Sequence, residues 1–98
     1  MFVQIIDARL RGSVEELQSL DDEWERATEG RRTIRRSLLL QDRSDPSHVL
    51  IVAFFDDAES ARVNSELPET DTLAKTMMEQ ASGAPTFTDF DLKDERNY

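Results

Sequence analysis

Eight consecutive residues, His48-Val49-Leu50-Ile51-Val52-Ala53-Phe54-Phe55, constrain this chain more than any other stretch. After the histidine every side chain is apolar, and bulky residues fall at both odd and even positions. A strand sends alternate side chains to opposite faces, so this one is apolar on both and belongs inside a sheet that needs cover on each side. The run is bounded by Asp42-Arg43-Ser44-Asp45-Pro46-Ser47 and by Asp56-Asp57, both turn-forming by composition. Ile34 to Gln41, on the far side of the first turn, is the second strand of a hairpin.

The other elements follow from periodicity and punctuation. Phe2 to Leu10 reads as a strand with apolar side chains on both faces. Ser13-Val14-Glu15-Glu16 is a capping box that starts a helix at Val14, and Val14, Leu17, Leu20, Trp24 and Ala27 form its apolar stripe before Gly30 ends it. Asp56 and Glu59 offer a second cap pattern, opening a helix whose inner face is small: Ala58, Ala61 and Ser65. Pro68 predicts a kink or restart, because proline lacks the backbone donor and clashes with the preceding turn. Leu73, Ala74, Met77, Met78 and Ala81 are the apolar stripe of the second piece, Gly83 stops it, and Pro85 to Leu92 is the last strand.

The order β-α-β-β-α-β predicts an α+β, ferredoxin-like fold: a four-stranded antiparallel sheet with two helices on one face, strands one and three central. Residues 1–92 form the single domain and 93–98 a polar, frayed C-terminal tail. Two helices cover one face of such a sheet, so the second apolar face needs another cover, and a second copy of the chain supplies it most simply.

Composition removes whole classes of function. With no cysteine there are no disulfides, iron–sulfur clusters, thiolate zinc sites or cysteine nucleophiles, and a single histidine leaves little for other metals. A net charge of −9 argues against nucleic acid, whose phosphates demand basic surfaces. No apolar run approaches the roughly 18 residues that span a bilayer. The opening Met1-Phe2-Val3-Gln4 lacks the basic start and cleavage site of a signal peptide, so no membrane association and a cytoplasmic location are expected.

Several residues combine in a family likeness: the opening Met1-Phe2-Val3-Gln4-Ile5-Ile6, the helical Trp24, the strand His48 to Phe55, and the stretch Ala58 to Glu69. Over essentially its whole length the chain resembles the dimeric α+β barrel superfamily, and within it the antibiotic biosynthesis monooxygenase-like proteins. It looks like the small actinobacterial members, and ten arginines against two lysines suit a high-GC genome. The resemblance implies sheets packed face to face in a homodimer, and a pocket between helices and sheet that takes a small aromatic or polyketide-like compound. It further implies oxidation by dioxygen with no cofactor. Asparagine and tryptophan commonly line that pocket in the family, and Asn64 and Trp24 are the matching residue types here. The only tyrosine, Tyr98, lies in the tail, and His48 begins a strand, which departs from the histidine iron ligand of haem-degrading relatives. No catalytic residue is assigned.

Each candidate has a plainer alternative. Asn64 either donates a hydrogen bond to a ligand oxygen or serves the helix end one turn before Pro68. Trp24 anchors the core or faces the ligand. His48 is read as a solvent-facing hairpin residue, because no acidic partner has a triad spacing. Arg31, Arg32, Arg35 and Arg36 form a solvated loop paired to the acidic first helix. Asp21, Asp22, Glu23 and Glu25 are read as a solvated face rather than a calcium or magnesium site. Met77 and Met78 are core or line an adaptable pocket. The chain is therefore a cofactor-free oxygenase or, from a different class, a non-catalytic dimeric module that binds a small molecule or partner. A closed pocket of several hundred Å³ beneath the helices discriminates the two, and one filled by Met77, Met78 and Trp24 speaks against the enzyme.

Overall fold

The computed structural model describes all 98 residues. Its elements are β1 (Phe2–Arg9), α1 (Val14–Ala27), β2 (Arg36–Gln41), β3 (His48–Phe55), α2 (Ala58–Ser65), α3 (Pro68–Gln80) and β4 (Thr86–Asp91). The strands form one antiparallel sheet in the order β2-β3-β1-β4, with β1 and β3 central, as the two-faced apolar pattern requires. This is the ferredoxin-like arrangement, with three helices rather than two.

The third helix comes from Pro68. Leu67 turns extended and Pro68 takes the first helical position, where its missing donor costs nothing, so the chain restarts instead of bending. Two further expectations are corrected. The cap of α2 is Asp57, whose carboxylate accepts from the Ser60 amide at 2.7 Å, because Asp56 is held by Arg35. The inner face of α2 is also not its small residues: Asn64 is the residue it buries, while Ala58 and Ser65 are exposed. Ser13 caps α1 as expected, accepting from Glu16 N at 3.2 Å.

Register divides the side chains between two faces. Ile6, Ala8 and Leu10 share the helix-covered face with Val49, Ile51 and Phe55, and the core gathers there around Ala8, Leu10, Leu17 and Val49. Only 10 of 98 residues are fully buried, so the core is thin and the layer above it is loosely filled. α1 contributes Leu17 to it, but Ala27 is exposed, and Thr28 is the buried residue at the helix end. In α3, Leu73 and Met77 turn inward while Met78 is half exposed.

The opposite face carries Ile5, Leu38, Leu40, Leu50, Val52 and Phe54 with no helix over them. The tail reaches one end of it: Leu92 N–H donates to the Met1 carbonyl at 2.9 Å and Glu95 lies 3.7 Å from Arg36. No helix is long and apolar enough to cross a membrane.

Candidate functional site

α1 ends where Thr28 donates both its amide and its hydroxyl to the Trp24 carbonyl, at 3.0 and 2.7 Å. Gly30 follows with φ +80°, a left-handed conformation that costs glycine little. The chain then crosses to α2, where Thr33 is fastened twice. Its N–H donates to Asn64 Oδ1 at 3.1 Å and its hydroxyl donates to the Ser60 carbonyl at 2.5 Å. This loop props α1 away from the edge of the sheet.

The result is a cleft of about 790 Å³ between the helices and the sheet, open to solvent rather than closed as the enzyme reading expects. Its floor is Ile6, Leu39, Ile51 and Phe55, and its roof includes Trp24, Asn64, Leu73 and Met77. Asn64 and Trp24, 40 positions apart in sequence, thus border one space. Because a backbone N–H fixes which end of the Asn64 amide is oxygen, the amino end is the one left over. Nδ2 has no partner within the protein, and no unpartnered side-chain nitrogen or oxygen is fully enclosed, so this donor opens onto the cleft. Asn64 does not cap its helix, since the residue at that end is Glu66.

Trp24 is committed differently. Its indole N–H donates to Thr70 Oγ1 on α3 at 2.9 Å, so it offers the cleft ring surface and no hydrogen. Thr33 and Thr70, which set these two side chains, carry no sequence signal of their own.

The acidic group is exposed, as expected, and three of its members, Asp21, Asp22 and Glu25, also border the cleft. Partial burial, and next the charges of Glu25 and Asp22, hold the Asp21 carboxyl above its ordinary range, with Arg32 pulling it back. The signal was present: Asp21 follows Leu17 by four and precedes Trp24 by three, inside the apolar stripe.

The arginines form ion pairs, but not with α1. Arg31 holds Glu69 of α3 at 2.5 Å, Arg35 holds Asp56, and Arg36 lies over the Phe54 ring and near Glu95. Arg32 donates to the Glu25 backbone carbonyl at 2.7 Å.

His48 also has partners that spacing hid. Its ring lies between Asp42, 2.9 Å from Nδ1, and Asp7, 2.8 Å from Nε2. Hydrogen bonds to these carboxylates, Asp42 first, raise its pKa, and a doubly protonated ring satisfies both. The cluster sits at the end of the helix-free face, away from the cleft. Asp7 is 41 residues distant in sequence, beyond any local motif.

No protein-family model matches the sequence, and no curated protein matches it by sequence. Solved structures do match. SnoaB of Streptomyces nogalater, described as a cofactor-independent oxygenase, superposes with a TM-score of 0.79 at 16% identity, over 96% of this chain and 94% of SnoaB. An asparagine-to-alanine mutant of SnoaB gives 0.81 at 14%, with the same coverage. The fold is that of the antibiotic biosynthesis monooxygenases. A further protein of that description matches at 0.77 with 15% identity, over 96% of this chain and all of the other. A Mycobacterium tuberculosis protein matches at 0.75 with 13% identity, over 99% and 100%. Agreement over whole chains at such identity shows the shared fold alone and leaves chemistry to the site.

Proposed function

We propose that the cleft binds a small aromatic or polyketide-like compound and that the protein acts on it as a monooxygenase without a cofactor. The observation that carries this reading is the unpartnered Asn64 amino group in an apolar-floored cleft of about 790 Å³, a size that suits a ligand of several rings. A flat ring fits between Trp24 and the floor. A phenolic oxygen placed at Nδ2 gains a donor that strengthens as the oxygen becomes anionic, which favours the phenolate. Dioxygen is the oxidant and the electron-rich ring the reductant: a ring CH₂ becomes C=O and the second oxygen atom leaves as water. The SnoaB-like fold supports the reading.

The same reading makes the protein a cytoplasmic homodimer, closed through the helix-free face of the sheet. Six apolar side chains there have no helix over them, and two identical faces cover each other.

The test uses Asn64→Asp, which keeps the oxygen that accepts from Thr33 and replaces the donor with a second acceptor. Trp24, the only tryptophan, reports binding by its fluorescence. A tricyclic phenol should quench it saturably at one per chain, and Asn64→Asp should weaken binding at least tenfold with an almost unchanged melting temperature. Equal affinity in the variant refutes Asn64 as the ligand contact. No histidine or tyrosine lines the cleft, which favours the second reading, a module that binds without turnover. A phenol that binds and is not consumed under air decides for it.

A further inference from the structure

Three carboxylates and three guanidiniums border the cleft, and they are not paired with one another. Arg35 grips Asp56 through Nη2 at 2.7 Å and Nε at 3.1 Å, and Arg36 stacks on Phe54 near Glu95, while Arg32, bonded to the neutral Glu25 carbonyl, keeps its charge beside the α1 wall. Asp21, Asp22 and Glu25, on the α1 wall, make no ion pair at all. Three carboxylates beside one half-free guanidinium leave that wall negative, and the upward displacement of the Asp21 pKa agrees.

The three carboxylates are exposed, and two further observations place them at the edge of a ligand-sized space. Asn64, only 7% exposed, opens its spare donor onto the same space. The floor also continues past Ile6, Leu17, Ile51 and Met77 into an adjoining cavity of about 200 Å³ whose one polar lining residue is Gln80. An apolar trough with a polar anchor on one side and a negative wall on another describes an amphiphile.

We infer that the cleft selects a cationic aromatic ligand, a flat ring body carrying a protonated amine, with the ammonium against Asp21, Asp22 and Glu25. The inference rests on the aromatic-ligand reading above and adds the sign of the ligand's charge. Clustered carboxylates beside an apolar floor attract an ammonium, and they repel a ligand that brings a carboxylate to the same wall.

Three derivatives of anthracene, alike in shape, separate the terms: aminomethyl, hydroxymethyl and carboxylate. Binding to the intact chain is followed by probe fluorescence at pH 7 and low salt. The ammonium should bind about tenfold tighter than the alcohol, the sum of a few partly exposed charge contacts, and the carboxylate most weakly. The preference should shrink in high salt. Asp21→Asn with Asp22→Asn and Glu25→Gln should reduce the ammonium to the affinity of the alcohol, and binding of the alcohol shows that the variant is folded. Glu15→Gln, on α1 but outside the cleft, should leave the preference intact. An alcohol that binds as well as the ammonium overturns the charge inference and spares the ring reading. An equal loss in Glu15→Gln assigns the effect to overall charge and overturns the site. If none of the three binds, the cleft reading fails and this inference falls with it.

Discussion

The two faces of the sheet are alike in composition and opposite in cover. Beneath the helices, Ile6, Ile51 and Phe55 floor a cleft whose roof elements are tied together by the Thr33–Asn64 and Trp24–Thr70 hydrogen bonds, so apolar surface and polar groups share a hollow. On the reverse, Ile5, Leu38, Leu50 and Val52 lie flat with the tail touching only one end. Apolar area alone therefore says that a face must be covered and nothing about whether the cover leaves room. On the inner face directional hydrogen bonds tie the roof elements to one another beside the cleft; the flat face carries no helices and suits close packing.

The contrast breaks most visibly at Val52, which stands between Leu38 and Ile5 in the middle of the bare face. Val52→Asp would bury a carboxylate in the proposed interface, an expected loss of several kcal/mol of association energy. Light scattering should show the parent at twice 11.3 kDa and the variant at 11.3 kDa or unfolded. A parent that scatters as a single chain removes the second copy from the account.

Asn64→Ala sharpens the inner side. It strips the acceptor from the Thr33 amide in a half-buried loop, which should cost about 1–3 kcal/mol in chemical denaturation. Asn64→Asp keeps that acceptor and should cost less at a pH where its carboxyl is neutral, and equal losses there would mean that the loop does not depend on this bond. Trp24→Phe should cost about 0.5–1.5 kcal/mol by removing the bond to Thr70 while keeping most of the ring, measured by circular dichroism.

The smallest effect belongs to the edge of the bare face. The folded state raises the pKa of His48, so it binds that proton more tightly than the unfolded chain does. Its stabilisation is complete below the ordinary value of 6.5 and fades as pH rises through the folded pKa. Asp42, lowered chiefly by its hydrogen bond to His48, works in reverse: its contribution is present above the ordinary carboxylate value and is lost as pH falls through its folded pKa. The pair is therefore strongest at mildly acidic pH. Proton NMR should place the His48 midpoint above 6.5, and His48→Gln should flatten the fall in melting temperature from there to pH 8.

Strand placement, the central position of β1 and β3, the Ser13 cap and the break at Pro68 were all legible in the sequence, because each is written in a few neighbouring residues. Alternation, spacing and backbone chemistry act over one or two turns and need no partner from elsewhere. Asn64 and Trp24 were legible as residue types, but not the hydrogen bonds that turn one amide nitrogen outward and tie up the indole. Tertiary structure alone decided that Asp57 caps α2 while Asp56 serves Arg35, that His48 sits between Asp7 and Asp42, and that Asp21 faces a cleft. Those outcomes depend on which of several competing carboxylates the packed chain brings within reach. The cleft itself has no local signature, because its size is the distance between two layers, and that distance belongs to no single stretch of sequence.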